Sequence, residues 1–387
     1  MDELAIPLLV VFAGIVLIPP IARRTGLPVI VAEIIFGMLI GRSLFDLIPD
    51  HDIIEFFSSF GLAYLMFLGG METDFAKLTR RAFRQAFLVV AVSIIVPFLT
   101  GFILAGWVDV NRFLLGTIFC TTSLGLTLPL LKSGQFRPRF ARILLTSVVL
   151  VDIISLFLLA FVLSGLEGSL TARFSYSFII ILALFFLPWL IRKRKLRRKI
   201  TLRLSKDSLF DIEVRLAFAL IFILAAISAQ LGFHAIIGGF IAGLIASEVL
   251  PRKILREEKL QSFGYGFFIP MFFIFTGARV NLPGVFADVS NLTVLVVIVA
   301  AGILSKIVGV GVAARFTGFR IRESVALGLF HSARLSLIIA AADMSIRLGL
   351  ISENLFAMLI ILAVVSATMA PALGRRVLNP SAQSTKR

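Results

Sequence analysis

Three residues place full charges inside otherwise apolar stretches: Asp152 in SVVLVDIISLFLLAF, Lys306 in AAGILSKIVGVGVAA and Arg334 in LFHSARLSL. A charge at such a position is expensive, so each is a functional candidate by default. Asp152 has apolar neighbours for at least two helical turns on either side. Burial disfavours the charged form of a carboxyl group and a nearby cation favours it. A carboxyl balanced between the two binds either a proton or a metal cation, and that competition is the chemistry of exchange. Lys306 can serve as a counter-ion to Asp152 that an incoming cation displaces, or it can snorkel to an interface. Arg334 can neutralise Glu72, in FLGGMETD, or hold a broken helix in place. The competing reading of Asp152 is a plain ion pair with Lys306 or Arg334, a costly way to hold a bundle together. Glu33, in VIVAEIIFG, is read as a packing or interfacial group, as is Glu72 in the absence of a basic partner.

Hydroxyls cluster in TTSLGLTLP, where Thr121, Thr122, Ser123 and Thr127 surround Gly125, and Pro129 removes a helical donor. A helix broken here frees carbonyls and turns two half-helix ends toward the membrane midplane, where they can coordinate a desolvated cation. An ordinary kinked helix, its hydroxyls bonded back to the preceding turn, is the alternative. GLFHSARLSLIIAAADM occupies a matching place in the second half of the chain. His331 within it reads as structural, because no second His or Cys stands at metal-ligand spacing. GxxxxGK[ST], GxSxG and HExxH are all missing from the chain, so it reads as neither an ATPase nor a hydrolase. No cofactor is expected.

The elements that must position these residues are membrane helices. The mean hydropathy is +1.03, and 59% of residues are hydrophobic, which excludes a soluble domain of useful size. Crossing about 30 Å of hydrocarbon takes roughly 20 apolar residues per helix. The apolar runs predict about thirteen spans, at roughly 4–21, 28–45, 56–71, 86–107, 113–131, 141–164, 175–191, 214–231, 233–249, 263–280, 291–315, 322–345 and 354–374. The fold class is therefore all-α and polytopic. Alternate loops are basic, from Arg23 and Arg24 through RKRKLRRK at 192–199 to Arg375 and Arg376. Intervening loops carry acids such as Asp46 and Asp50. The positive-inside rule then places the N-terminus outside and the C-terminus in the cytoplasm. It also explains the net charge of +16 without a nucleic-acid partner. The basic run at 192–199 is read as a topology anchor, with anionic lipid as the alternative partner. Acids rather than bases precede the first span, so it reads as a retained helix and not a signal peptide. The lone Cys120 excludes an internal disulfide framework. Paired interrupted segments in the two halves point to an inverted-repeat transporter with a midplane site.

The motifs GLPVIVAEIIFGMLIG, FGLAYLMFLGGMETD, TTSLGLTLPLLK, VVLVDIISL, FIPMFFIFTGARVNL and SKIVGVGVAARFTGFRIRESVALG together cover nearly the whole chain. In combination they resemble the bacterial monovalent cation:proton antiporter 2 group, most of all the NapA-type sodium/proton antiporters. The resemblance implies thirteen spans, two crossing discontinuous helices, a homodimer and an elevator-like exchange. It implies one transmembrane exchanger domain over 1–387, with core helices at about 86–164 and 291–374 and dimer or scaffold helices at about 4–71 and 175–280. It also implies that Asp152 is the ion-binding aspartate. Thr122, Ser123 and Thr127 fall in the first unwound segment, Lys306 is the core lysine, and Glu72 follows the third span. Two departures stand out. Relatives carry a second acid where this chain has Val151, and roughly PRGEVGL where it has HSARLSL, so Ser332 replaces an arginine and Arg334 a glutamate. Asp152 is thereby left as the expected partner of Lys306.

The function expected is a secondary antiporter in the inner membrane that exchanges Na+ or Li+ for protons, with Asp152 as the Na+ ligand. The alternatives are K+:proton exchange or K+ efflux, and a cation-coupled organic anion symporter, for which Arg334 is the distinguishing feature. A scaffold that transports nothing is the remaining rival.

Overall fold

A computed structural model describes residues 2–49, 51–72, 80–123, 126–127, 136–166, 212–231, 235–249 and 259–378, with isolated positions between 179 and 190. Every regular element among them is a helix. The RKRKLRRK run, Gly125, Pro129 and most of the span expected at 175–191 lie outside the described residues.

The helices used below are α1 (Asp2–Thr25), α2 (Val29–Ile40), α3 (Asp52–Glu72), α4 (Arg80–Leu104), α5 (Arg112–Cys120), α6 (Pro138–Leu166), α7 (Ile212–Gln230) and α8 (Ala235–Val249). They continue with α9 (Lys259–Phe263), α10 (Ile269–Ala278), α11 (Val289–Phe316), α12 (Ile321–Ser332), α13 (Ser336–Arg347) and α14 (Glu353–Leu378). Among the described residues, eight helical segments are long and apolar enough to cross a membrane and three more are apolar but shorter. Local chemistry starts several of them. Asn111 caps α5 by accepting from the Phe113 and Leu114 amides at 2.9 and 3.2 Å, and Asp288 caps α11 by accepting from the Ser290 amide at 3.0 Å. Glu323 reaches back to the Arg320 amide at 3.0 Å and opens α12.

The chain divides into two compact units. One comprises residues 1–15, 49–75 and 163–275. Within it α3 and α8 lie so close that a Cβ on Gly243 would run into the Phe67 carbonyl, and one on Gly70 into the Phe240 carbonyl. Small residues that let backbones meet are the membrane solution to helix packing. Phe60 supplies bulk beside them, stacked on Phe222 at 4.9 Å and edge-on to Phe268 at 4.7 Å. The Tyr64 hydroxyl donates to the Leu260 carbonyl at 3.0 Å, which satisfies its polar end.

The second unit comprises 16–48, 76–162 and 276–387. It holds α2, α4, α5, most of α6 and α11 to α14, and with them every charged candidate except Glu72. Gly41 and Ala278 touch backbone to backbone here, and the Arg42 amide donates to the Ala278 carbonyl at 2.9 Å. The second span, grouped with the scaffold by resemblance, thus clusters with the helices that carry Asp152 and Lys306.

Two interruptions define this unit. The span expected at 113–131 stops being helical at Cys120, and Thr121 to Ser123 are non-helical before a short helical pair at 126–127. The span expected at 322–345 stops being helical at Ser332, is non-helical from Ala333 to Leu335, and restarts at Ser336.

Candidate functional site

A helix that ends inside a membrane leaves carbonyls that no water can satisfy. At the end of α5 the carbonyls of residues 118 to 121 each have a partner. The Ile118 carbonyl accepts from the Thr121 hydroxyl at 2.8 Å. The Phe119 carbonyl accepts from Arg334 Nη2 at 2.8 Å, and the Thr121 carbonyl from Arg334 Nε at 3.2 Å. Between them, the Cys120 carbonyl accepts from Lys306 Nζ at 2.6 Å. Two buried cations therefore sit on the negative end of one half-helix, where its dipole favours them. The Arg334 guanidinium also lies over the Phe119 ring at 5.6 Å.

Arg334 comes from the second interruption. Its own backbone is tied to α14 through Ser366, whose hydroxyl lies 3.3 Å from both the Arg334 amide and the Arg334 carbonyl. A residue of the α12–α13 interruption thus closes α5. Sequence leaves Arg334 a choice between neutralising Glu72 and holding a broken helix in place; its guanidinium bonds go to the carbonyls of 119 and 121. Its Nη1 is buried and has no hydrogen-bond partner among the described residues.

Lys306, in mid-α11, is fully buried. Besides the Cys120 carbonyl its ammonium donates to the Ser93 carbonyl at 2.8 Å and the Ser93 hydroxyl at 3.0 Å. The Ser93 carbonyl is available because of Pro97, which stands inside α4. A proline lacks the amide that would bond to the carbonyl four residues back, and four residues back from Pro97 is Ser93. The direct Lys306–Asp152 pair expected from sequence is not formed. All three donors of Lys306 are used on Ser93 and Cys120.

Asp152 lies on α6, and its Oδ1 is buried without a hydrogen-bond partner among the described residues. Val151, beside it, is fully buried. Thr122, Ser123 and Thr127 are all buried. Thr122 Oγ1 has no hydrogen-bond partner among the described residues, whereas Thr127 donates to the Ser123 carbonyl at 2.9 Å. Oxygen donors of this type suit a hard alkali cation.

Sequence reading missed three groups. The Ser93 hydroxyl lies 3.1 Å from His331 Nδ1, and His331 Nε2 lies 2.8 Å from the Ser147 hydroxyl. The Ser93-to-Pro97 spacing was the available signal. Asp343 on α13 is also buried, and it accepts from Arg279 Nη1 at 2.9 Å and Arg347 Nε at 2.8 Å. The i,i+4 spacing of Asp343 and Arg347 was legible, but nothing in the chain's pattern brings in Arg279.

The sodium/hydrogen exchanger transmembrane family matches residues 9–379. The chain is 33% identical to YjbQ of Bacillus subtilis over 366 residues, covering 90% of this chain and 58% of that protein. It is 28% identical to the Na+/H+-K+ antiporter GerN of Bacillus cereus over 358 residues, covering 90% of this chain and 89% of GerN. Among solved structures, the sodium proton antiporter MjNhaP1 of Methanocaldococcus jannaschii superposes with a TM-score of 0.68 at 17% identity, covering 98% of each chain, and shares its fold. From the match over nearly its full length, the chain belongs to the sodium/hydrogen exchanger transmembrane family.

Proposed function

We propose that this protein is a secondary antiporter that exchanges Na+ (or Li+) for H+, and that Asp152 is the carboxylate that takes each in turn. The observation that carries this reading is a buried Asp152 Oδ1 with no hydrogen-bond partner among the described residues, while the donors of Lys306 are all engaged elsewhere. A buried carboxylate oxygen without a donor is costly as a structural element and suited to a proton or a cation.

The other residues have distinct tasks. Lys306 supplies positive charge that opposes a bare cation until Asp152 is ionised and ready to receive it. Thr122, whose buried hydroxyl has no partner among the described residues, and Ser123 and Thr127, on the first interruption, supply neutral oxygens. Arg334 keeps the first half-helix ended where those oxygens are displayed. Its Nε and Nη2 are spent on α5 carbonyls, which argues against the organic anion symporter. K+ remains the second cargo, because GerN is named for Na+/H+ and K+ exchange.

Val151 leaves one carboxylate where relatives have two, so cation and proton compete directly for Asp152. We further place the N-terminus outside and the C-terminus in the cytoplasm, and read the protein as a homodimer in the plasma membrane. In this reading the two interrupted segments cross, and the unit bearing Asp152 moves in an elevator-like cycle; alternate basic loops and the two interruptions support these assignments.

The test uses proteoliposomes with an internal pH dye, to which Na+, Li+ or K+ is added. Asp152→Asn is expected to abolish the cation-driven pH change. A response that persists in that variant would remove Asp152 from the cycle.

A further inference from the structure

The three donors of Lys306 are directed by groups that the exchange reaction does not itself need. A lysine ammonium only donates, so the Ser93 hydroxyl must accept from it, at 3.0 Å. The single proton of that hydroxyl then goes to His331 Nδ1, at 3.1 Å. An imidazole that accepts at Nδ1 carries its proton at Nε2, which donates to the Ser147 hydroxyl at 2.8 Å. The Ser147 proton in turn goes to the Ile143 carbonyl, at 2.7 Å. Each group is used once and in one direction. His331 in this arrangement is neutral and in a single tautomer. A doubly protonated ring would leave the Ser93 proton with no acceptor among the described residues.

The second strand of the arrangement is the backbone. Pro97 interrupts the amide ladder of α4 and leaves the Ser93 carbonyl for Lys306, at 2.8 Å. Ser93 thus meets the ammonium with both of its oxygens, one freed by Pro97 and the other aimed by His331.

We infer that Pro97 and His331 are positioning residues: together they clamp the Lys306 ammonium on Ser93 and the α5 terminus, and so keep it off Asp152. This rests on the reading of Asp152 as the cation carboxylate. Loosening either half of the clamp lets the ammonium move toward Asp152, where it competes with the incoming cation. The consequence is a higher KM for Na+ with Vmax less affected.

Three substitutions separate this from simple core packing. Pro97→Ala restores an amide that competes with Lys306 for the Ser93 carbonyl. The repaired helix is expected to be at least as stable as the original, yet the KM for Na+ rises about tenfold, the order of one charge-assisted hydrogen bond. His331→Phe removes the acceptor and is expected to raise KM similarly. His331→Asn keeps an acceptor near the Nδ1 position and holds KM within about twofold of the parent.

The measurement is cation-driven pH change in proteoliposomes across a Na+ series, with thermal unfolding in detergent recorded for every variant and Asp152→Asn run alongside. An unchanged KM in Pro97→Ala, or a His331→Phe variant that loses only Vmax, overturns the clamp. If His331→Phe does not fold, Pro97→Ala and His331→Asn still decide. Full transport by Asp152→Asn would instead overturn the carboxylate assignment. Inactive Asp152→Asn with a parental KM in Pro97→Ala would overturn the clamp alone.

Discussion

Lys306 Nζ and Arg334 Nη2 donate to adjacent carbonyls, those of Cys120 at 2.6 Å and Phe119 at 2.8 Å, at the end of one half-helix. Two like charges are brought together because three consecutive peptide oxygens, at 119, 120 and 121, need donors in a place without water. The helix break and the two buried cations are therefore one structural solution.

Arg334→Gln is expected to leave the Phe119 or Thr121 carbonyl without a donor and to destabilise the protein by about 3 kcal/mol. Arg334→Lys keeps the charge but cannot span two carbonyls with a planar fork, so it should recover only part of that loss. Thermal unfolding in detergent measures both, and equal stability of all three proteins would contradict the bridging role.

Lys306→Gln retains a donor at the Ser93 or Cys120 carbonyl but loses the charge. A loss of about 2 kcal/mol is expected from the weakened bonds, together with a changed cation response, because the field on Asp152 is gone. Parental transport with reduced stability would show that the lysine is only structural.

Asp343→Asn separates a structural acid from a transport acid. Asp343 is buried and bridges Arg279 and Arg347, so removing its charge should cost roughly 3 kcal/mol. The KM for Na+ in proteoliposomes should stay at the parental value. A shifted KM would bring Asp343 into the cation pathway.

Gly302 stands one helical turn before Lys306, and a Cβ there would lie 3.0 Å from Arg334 Nη1 and 2.9 Å from Leu362 Cδ2. Both atoms end flexible side chains, so Gly302→Ala should cost only about 1 kcal/mol, while Gly302→Val should cost about 2–3 kcal/mol by displacing the guanidinium. Unfolding midpoints that do not separate the two variants would show that Arg334 yields without cost.

Much of the fold was readable because a membrane makes hydropathy decisive. The long apolar helices appear near their expected places, for example Val289–Phe316 against about 291–315. Both interruptions fall inside the segments singled out by Thr, Ser, Gly and Arg. What failed was partner choice. Lys306 was matched to Asp152 by charge, and Glu72 was one of two options for Arg334, since opposite charges are the partners a sequence displays. Backbone carbonyls carry no letter in a sequence, and here they take both cations.

The sequence alone determined a helical membrane protein and the identity of its costly charges, because apolar length and intramembrane charge are properties of composition and order. It also contained Pro97, whose missing amide frees the Ser93 carbonyl. Only the tertiary structure decided where the donors go. That choice depends on which helix end lies beside which side chain, and so on packing between segments some two hundred residues apart. Cys120 meets Lys306, and Phe119 and Thr121 meet Arg334, because two broken helices end beside one another and peptide oxygens shielded from water must find donors.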